Sequence, residues 1–169
     1  ELGATPVEVR TPEQLADVDA LIVPGGESTT MSKLLDTSGL AQPLRDRLVA
    51  GLPTFGTCAG MIVLARTVLD GRADQNSYDA IDITVRRNAF GRQTRSFEAP
   101  VDLCLTREAN DFFHGIFIRA PWVETIGSGV EVIARYDGHI VGVRQDQIIG
   151  VAFHPELGDD TRLHAHFLD

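Results

Sequence analysis

Only two of the 169 residues are cysteine, Cys58 and Cys104. Such a pair cannot build a disulfide framework and has no metal-site spacing, so a reducing cytoplasm is the expected setting and no metal is expected. Basic residues are also scarce. Fifteen Lys and Arg against 24 Asp and Glu leave a net charge of −9, which disfavours nonspecific binding to nucleic acid or to an anionic membrane. The longest apolar runs, such as "MIVLA", fall far short of the roughly 20 residues that cross a bilayer. The opening "ELGATPVEVR" lacks the form of a signal peptide. There is no G-K-[ST] for a phosphate loop, no internal repeat and no low-complexity tract. What is there is ordinary globular material, 43% hydrophobic and 23% charged, enough for one domain over residues 1–169 with a sizeable core.

The first half alternates strand and helix. Val7–Arg10 reads as a short strand. Thr11, Pro12 and Gln14 then form a capping box. The run "ALIV" (20–23) fits a fully buried parallel strand and ends at "PGGEST", where Ser28, Thr29 or Thr30 can cap a short helix closing near Gly39. Leu40, Leu44 and Leu48 mark an amphipathic helix ending at Gly51. "PTFG" is a second buried strand, followed by Cys58 and a helix of about ten residues. This pattern predicts an α/β domain with a parallel sheet. The second half is a run of strands, "DAIDITVRR", "SFEAPVDLCL", "GIFIRAPW" and the stretch through "VAFHPE". Asp137-Gly138 is a two-residue hairpin turn, and a last helix starts near Thr161, capped by Asp159 or Asp160. Arg86, Arg87, Arg92 and Arg95 crowd one loop, either as a solvated face or as a docking site for a carboxylate, a phosphate or an acidic partner.

Gly56-Thr57-Cys58-Ala59-Gly60 has the form of a nucleophile elbow with cysteine in the serine position. Glycines relieve crowding at such a turn, and the following helix points its amides at the sulfur, favouring thiolate. A buried core thiol is the bland alternative. The candidate base is His154 in "VAFHPE". Pro155 forces His154 into an extended conformation, where Glu156, two residues on, reaches the same side and can fix the imidazole tautomer. An ordinary loop would also accommodate His-Pro-Glu. His139, on a hairpin turn, and His164 and His166, on the last helix, are weaker candidates. An oxyanion site needs backbone amides near Cys58: Ala59 by position, and Gly25 or Gly26 from the glycine turn.

Together, "PGGEST", "GTCAG" and "HPE", in this order on an α/β background, resemble the class I glutamine amidotransferases. The stretches "TVRRNAFGRQ", "SFEA", "FIRAP" and "HPELGDDTRLHAHFL" narrow the likeness to the glutaminase subunits of pyridoxal 5′-phosphate synthase, over nearly the whole chain. The resemblance implies a three-layer, flavodoxin-like α/β fold with a mainly parallel central sheet, a nucleophile elbow and a C-terminal run of strands. It implies hydrolysis of L-glutamine to L-glutamate and ammonia by a Cys-His-Glu triad of Cys58, His154 and Glu156. Gly26, Glu27, Ser28, Arg87, Ile118 and Arg119 would hold glutamine. The implied partner is a synthase built as a (β/α)8 barrel, to which ammonia passes through a protein tunnel, and no cofactor is expected on this chain.

Members of that family open with a buried strand, a "LQGD"-like loop and a helix before the segment matching "LGATPVEV". The expectation is therefore that the first strand and helix are absent here and the glutaminase domain is N-terminally incomplete, with apolar edges exposed and one wall of the pocket lost. Two other readings stay open: a weak or inactive glutaminase-like scaffold that docks the synthase, and a cysteine hydrolase acting on γ-glutamyl or peptide bonds.

Overall fold

Capped helices and short apolar strands alternate from the start of the chain. The computed structural model describes residues 2–71, 76–90, 96–105 and 112–169. Arg92 and Arg95 of the arginine-rich loop lie outside the described residues. Helix α1 (Pro12–Ala16) carries the expected capping box, with Thr11 accepting the Gln14 amide and the Gln14 side chain answering the Thr11 amide. Val7–Arg10, expected as a strand, is not part of the sheet. The Arg10 amide donates to Gln14 Oε1 at 2.7 Å, which draws the segment into the cap of α1.

Strand β1 (Leu21–Val23) runs parallel to β2 (Thr54–Thr57). The expected full burial of β1 is not observed. Among the described residues β1 has a partner on one flank only, and Ile22 is 48% exposed. Helix α2 (Ser28–Thr37) is capped by Glu27 instead of by Ser28, Thr29 or Thr30. Its carboxylate accepts the Thr29 amide at 3.2 Å and the Thr30 amide at 2.8 Å. Two oxygens satisfy two orphan amides, where a hydroxyl would satisfy one. Helix α3 (Ala41–Val49) buries Leu44 and Leu48 as their spacing requires. Helix α4 (Ala59–Leu64) has six residues instead of about ten, because Ala65 turns extended and the chain enters β3 (Ala65–Leu69), which pairs parallel with β4 (Ile81–Arg86).

The second half supplies β5 (Ser96–Leu103), β6 (Phe112–Ile118), β7 (Trp122–Ile126), β8 (Glu131–Tyr136), β9 (His139–Gln145) and β10 (Ile148–Val151). "GIFIRAPW" is thus two strands, β6 and β7, separated by Arg119 at φ 47°. Asp137 and Gly138 both take positive φ, 47° and 77°, as a two-residue hairpin turn between β8 and β9 requires. The sheet is curled and mixed, with strand order β1-β2-β10-β9-β7-β4-β3; β8 pairs with β9 and β5, and β6 with β5. Pairing is parallel around β2, to β1 and β10, and between β3 and β4; the other pairings are antiparallel.

Two features of this sheet position the site. Strands β2 and β10 lie side by side in parallel with Thr57 opposite Val151, so both discharge their chains at the same end. The fully buried Phe55, on β2, and Phe153, just past β10, anchor that end in the core. After β10 comes a single turn of 3-10 helix, Pro155–Leu157, and then α5 (Arg162–Leu168), whose Arg162 amide donates to Asp160 Oδ1 at 3.0 Å.

Candidate active site

Cys58 occupies the junction of β2 and α4 at φ 51° and ψ −104°. A non-glycine residue at positive φ is strained by about 1–3 kcal/mol and persists only where its surroundings fix it. Here the Cys58 amide is tied to the Val151 carbonyl of β10 at 2.8 Å. Glycine on the elbow is dictated by crowding, since a Cβ on Gly60 would collide with the Val23 carbonyl oxygen of β1. Helix α4 can therefore press directly on the sheet. The Cys58 side chain is buried, and its Sγ donates to the Ile118 carbonyl at 3.7 Å.

His154 follows β10, and its amide donates to the Ile116 carbonyl of β6 at 2.8 Å. Its Nδ1 meets Glu156 Oε1 at 2.8 Å, but not across the extended segment expected from the sequence: Pro155–Leu157 is a turn of 3-10 helix, and the contact is made from within that turn. His154 Nε2 is buried and makes no aligned hydrogen bond, the thiol being directed at Ile118. The sulfur is nevertheless near enough to act on the ring. The His154 pKa is pushed up to about 9, first by the Cys58 sulfur and next by Glu156, with burial working against both. Burial likewise opposes ionisation of Glu156, yet its bonds to the His154 ring and to its own amide, with the charges of His154 and His164, hold its carboxyl below the usual range. The site thus favours an imidazolium bracketed by a sulfur and a carboxylate.

Gly25 shows how closely the two halves meet. A Cβ at this position would run into His154 Cε1 and come within 3.0 Å of Nδ1 and 3.4 Å of Cys58 Cβ. Beyond it a cavity of about 120 Å³ opens. Gly26, Glu27, Ser28, Arg87, Ile118 and Arg119, all singled out from the sequence, line this cavity together with Cys58 and Ala59. Arg87 Nη2 donates to Glu27 Oε1 at 3.0 Å within this lining. Burial disfavours the Glu27 charge, but the Thr30 amide and hydroxyl and then Thr29 hold its pKa down to about 2. A cation and an anion therefore stand side by side on one wall.

Two lining residues escaped the sequence reading, Ile62 and Asn88. Ile62 lies four residues after Cys58, one helical turn on, and that spacing could have flagged it. Asn88 is adjacent to Arg87 and takes φ 48°, a conformation that asparagine tolerates better than most residues. Among the described residues no group of three or more His, Cys, Asp and Glu could hold a metal ion. No described helix is long and apolar enough to cross a membrane.

Residues 2–169 match the family model described as the SNO glutamine amidotransferase family. The chain is 55% identical over 169 residues to the pyridoxal 5′-phosphate synthase subunit PdxT of Frankia alni, covering 100% of this chain and 84% of that protein. It is 55% identical over 161 residues to the protein of the same name from Streptomyces griseus, covering 95% of this chain and 81% of that one. A crystal structure of a glutamine amidotransferase superposes with a TM-score of 0.89 at 46% identity, covering 99% of this chain and 86% of that chain. A glutamine amidotransferase from Thermotoga maritima, at 14% identity and a TM-score of 0.52 over 80% of this chain and 55% of that one, shares the fold alone.

Proposed function

Because the chain belongs to the SNO glutamine amidotransferase family, we propose that it is the glutaminase subunit of a pyridoxal 5′-phosphate synthase. On this reading it hydrolyses L-glutamine to L-glutamate and ammonia, with Cys58 as nucleophile, His154 as acid and base, and Glu156 orienting His154. The observation that carries the reading is the juxtaposition of a strained cysteine elbow and a His154–Glu156 pair where the adjacent strands β2 and β10 end.

The chemistry follows from the groups present. The Cys58 thiolate attacks the side-chain amide carbon of glutamine, forming an S–C bond. The developing oxyanion is met by the Ala59 amide and by an amide of Gly25 or Gly26. Imidazolium at His154 gives its proton to the amide nitrogen, the C–N bond breaks, and ammonia leaves a γ-glutamyl thioester. Neutral His154 then takes a proton from water as that water adds to the thioester, and glutamate departs as the thiol reforms. Arg87 and Glu27 suit the α-carboxylate and the α-ammonium of the substrate, each offering the opposite charge. Gly26, Ser28, Ile118 and Arg119 shape the remaining wall.

The partner on this reading is a synthase built as a (β/α)8 barrel that receives the ammonia through a protein tunnel, and the setting is cytoplasmic. A second reading, a docking scaffold with little turnover of its own, draws support from the Cys58 thiol pointing at Ile118 while His154 Nε2 has no aligned bond. One experiment separates them: release of ammonia and glutamate from glutamine, with and without the synthase partner. Turnover that disappears in Cys58→Ala supports the glutaminase. No turnover under either condition leaves the scaffold reading and rejects the enzyme.

A further inference from the structure

Two of the turns that line the cavity are tied to each other. One carries Arg87 and Asn88, the other Ile118 and Arg119. They meet at one end of the β4–β7 pairing, where Arg86 stands opposite Trp122. Each turn holds a non-glycine residue at positive φ, Asn88 at 48° and Arg119 at 47°, a conformation that persists only where the surroundings over-determine it. The Ala89 amide, directly after Asn88, donates to the Ala120 carbonyl, directly after Arg119, at 3.0 Å. One backbone hydrogen bond is a modest tie.

A second tie is aromatic. Phe90 follows Arg87 by three residues and closes its turn, and Trp122 follows Arg119 by three. Their rings meet edge to face, with centroids 5.2 Å apart and planes at 87°. Phe90 also lies edge-on to Phe97 at 5.3 Å and to the fully buried Phe117 at 5.5 Å, so a nest of rings holds it although it is only half-buried. Trp122 is fixed in turn. Its Nε1 donates to Glu124 Oε1 at 2.9 Å, and the His139 ring stacks on it with centroids 3.8 Å apart and planes at 4°. Aromatic pairs in such orientations couple neighbours beyond the area they bury. This matters for Arg87, because a guanidinium grips a carboxylate with two parallel bonds only when its planar fork is aimed.

We propose that Phe90 and Trp122 form an aromatic clasp that sets the aim of Arg87, which makes both of them positioning residues for glutamine recognition. The proposal rests on the glutaminase reading above. Neither ring is among the described residues that line the cavity; both act through the turns they close. The role differs from space-filling, which would move stability and leave recognition untouched.

The test is a double-mutant comparison on the full chain with its synthase partner. Phe90→Leu keeps apolar bulk and removes the ring, whereas Phe90→Tyr keeps the ring. We expect Phe90→Leu to raise KM for glutamine roughly three- to tenfold, the size of a modest coupling between residues in contact, with kcat within about twofold. Phe90→Tyr should stay within about twofold of wild type in both. Trp122→Leu should raise KM as Phe90→Leu does, and the two changes together should cost little more than either alone. Arg87→Lys should add little in the Phe90→Leu background, since a fork that is no longer aimed has less to lose. An unchanged KM in Phe90→Leu overturns the proposal, as does a loss that multiplies with that of Arg87→Lys. If Phe90→Leu folds poorly, as its thermal midpoint would show, Trp122→Leu carries the same comparison from the other turn. Calorimetric binding of glutamine to the Cys58→Ala protein with the synthase repeats the comparison without turnover, and Phe90→Leu should weaken Kd by the same factor. Wild-type protein that neither binds nor hydrolyses glutamine rejects the glutaminase reading and the clasp with it, whereas an active wild type whose variants keep its KM rejects the clasp alone.

Discussion

Replacing Glu156 by Gln tests the electrostatics of the site with little change of shape. Glutamine still presents an oxygen to His154 Nδ1, which the carboxylate meets at 2.8 Å, so the hydrogen bond survives and the charge is lost. A hydrogen bond to a charged group contributes about 1.5–3 kcal/mol and a neutral one about 0.5–1.5, a difference of about 1 kcal/mol. The Glu156 side chain is 39% exposed, and solvent screening reduces that difference to roughly 0.5–1 kcal/mol, or about 0.4–0.7 of a pKa unit. His154, raised to about 9, should therefore titrate about half a unit lower in the variant.

On the proposed mechanism the imidazolium protonates the departing ammonia, so turnover falls as pH rises through the His154 pKa. The alkaline limb of the kcat profile should move down by that half unit. Stability follows the same groups. His154 is raised above its ordinary 6.5, so its contribution is complete below pH 6.5 and is lost as pH rises through about 9. Glu156 is lowered from its ordinary 4.5, so its contribution is present above pH 4.5 and is lost as pH falls further. Wild type should therefore exceed Glu156→Gln in urea midpoint most clearly between pH 4.5 and 6.5, and the gap should close by about pH 10. An alkaline limb that stays in place, with equal urea midpoints at pH 6, would refute the pairing as an electrostatic one.

Other substitutions probe separate parts of the site. Cys58→Ala and Cys58→Ser should both abolish glutamate release while leaving the far-ultraviolet circular dichroism and binding to the synthase intact, and Cys104→Ser should be nearly silent; an alkylating reagent that prefers Cys104 would remove Cys58 as nucleophile. Arg87→Lys keeps the charge and loses the planar fork, so KM for glutamine should rise roughly tenfold, for a loss of about 1–3 kcal/mol, with synthase affinity little changed; an unaltered KM takes Arg87 off the list of glutamine ligands. Gly60→Ala drives a methyl into the Val23 carbonyl, a backbone atom that cannot turn aside. Overpacking of this kind costs about 1–3 kcal/mol, which in a domain of this size lowers the thermal midpoint by roughly 2–12 °C; a midpoint within a degree of wild type would show that α4 and β1 do not press together as described.

The local geometry of the candidate site was more legible in the chain than the architecture around it. Gly56-Thr57-Cys58-Ala59-Gly60 and His154-Pro155-Glu156 are local strings whose spacing dictates a turn and a side-chain reach, and such constraints are written in consecutive residues. The end of α4 was not legible, because "VLARTVL" is apolar enough for helix and strand alike. What decides between them is β4, which offers Ala65–Leu69 a parallel ladder from residues more than ten positions away. Val7–Arg10 failed for a related reason: its alternation suits a strand, but a strand needs a partner, and the Arg10 amide is claimed by Gln14.

Glu27 shows how one residue can be singled out for one role while another is missed. In the sequence it stands out as a candidate substrate ligand, while the neighbouring Ser28, Thr29 and Thr30 look like the cap. In the structure Glu27 is the cap, and it also faces Arg87 in the cavity. These roles support each other. Binding two amides of α2 fixes the carboxylate and keeps it ionised with a pKa of about 2, so the charge offered to Arg87, and on the proposed reading to a substrate ammonium, is held in place before any ligand arrives. A serine or threonine cap would have freed Glu27 to move, and the cavity wall would then carry a mobile charge where recognition of an α-amino acid benefits from a fixed one. On the proposed reading, helix capping and substrate recognition are thus performed by a single carboxylate, because the glycine turn that ends β1 delivers the start of α2 to the edge of the cavity.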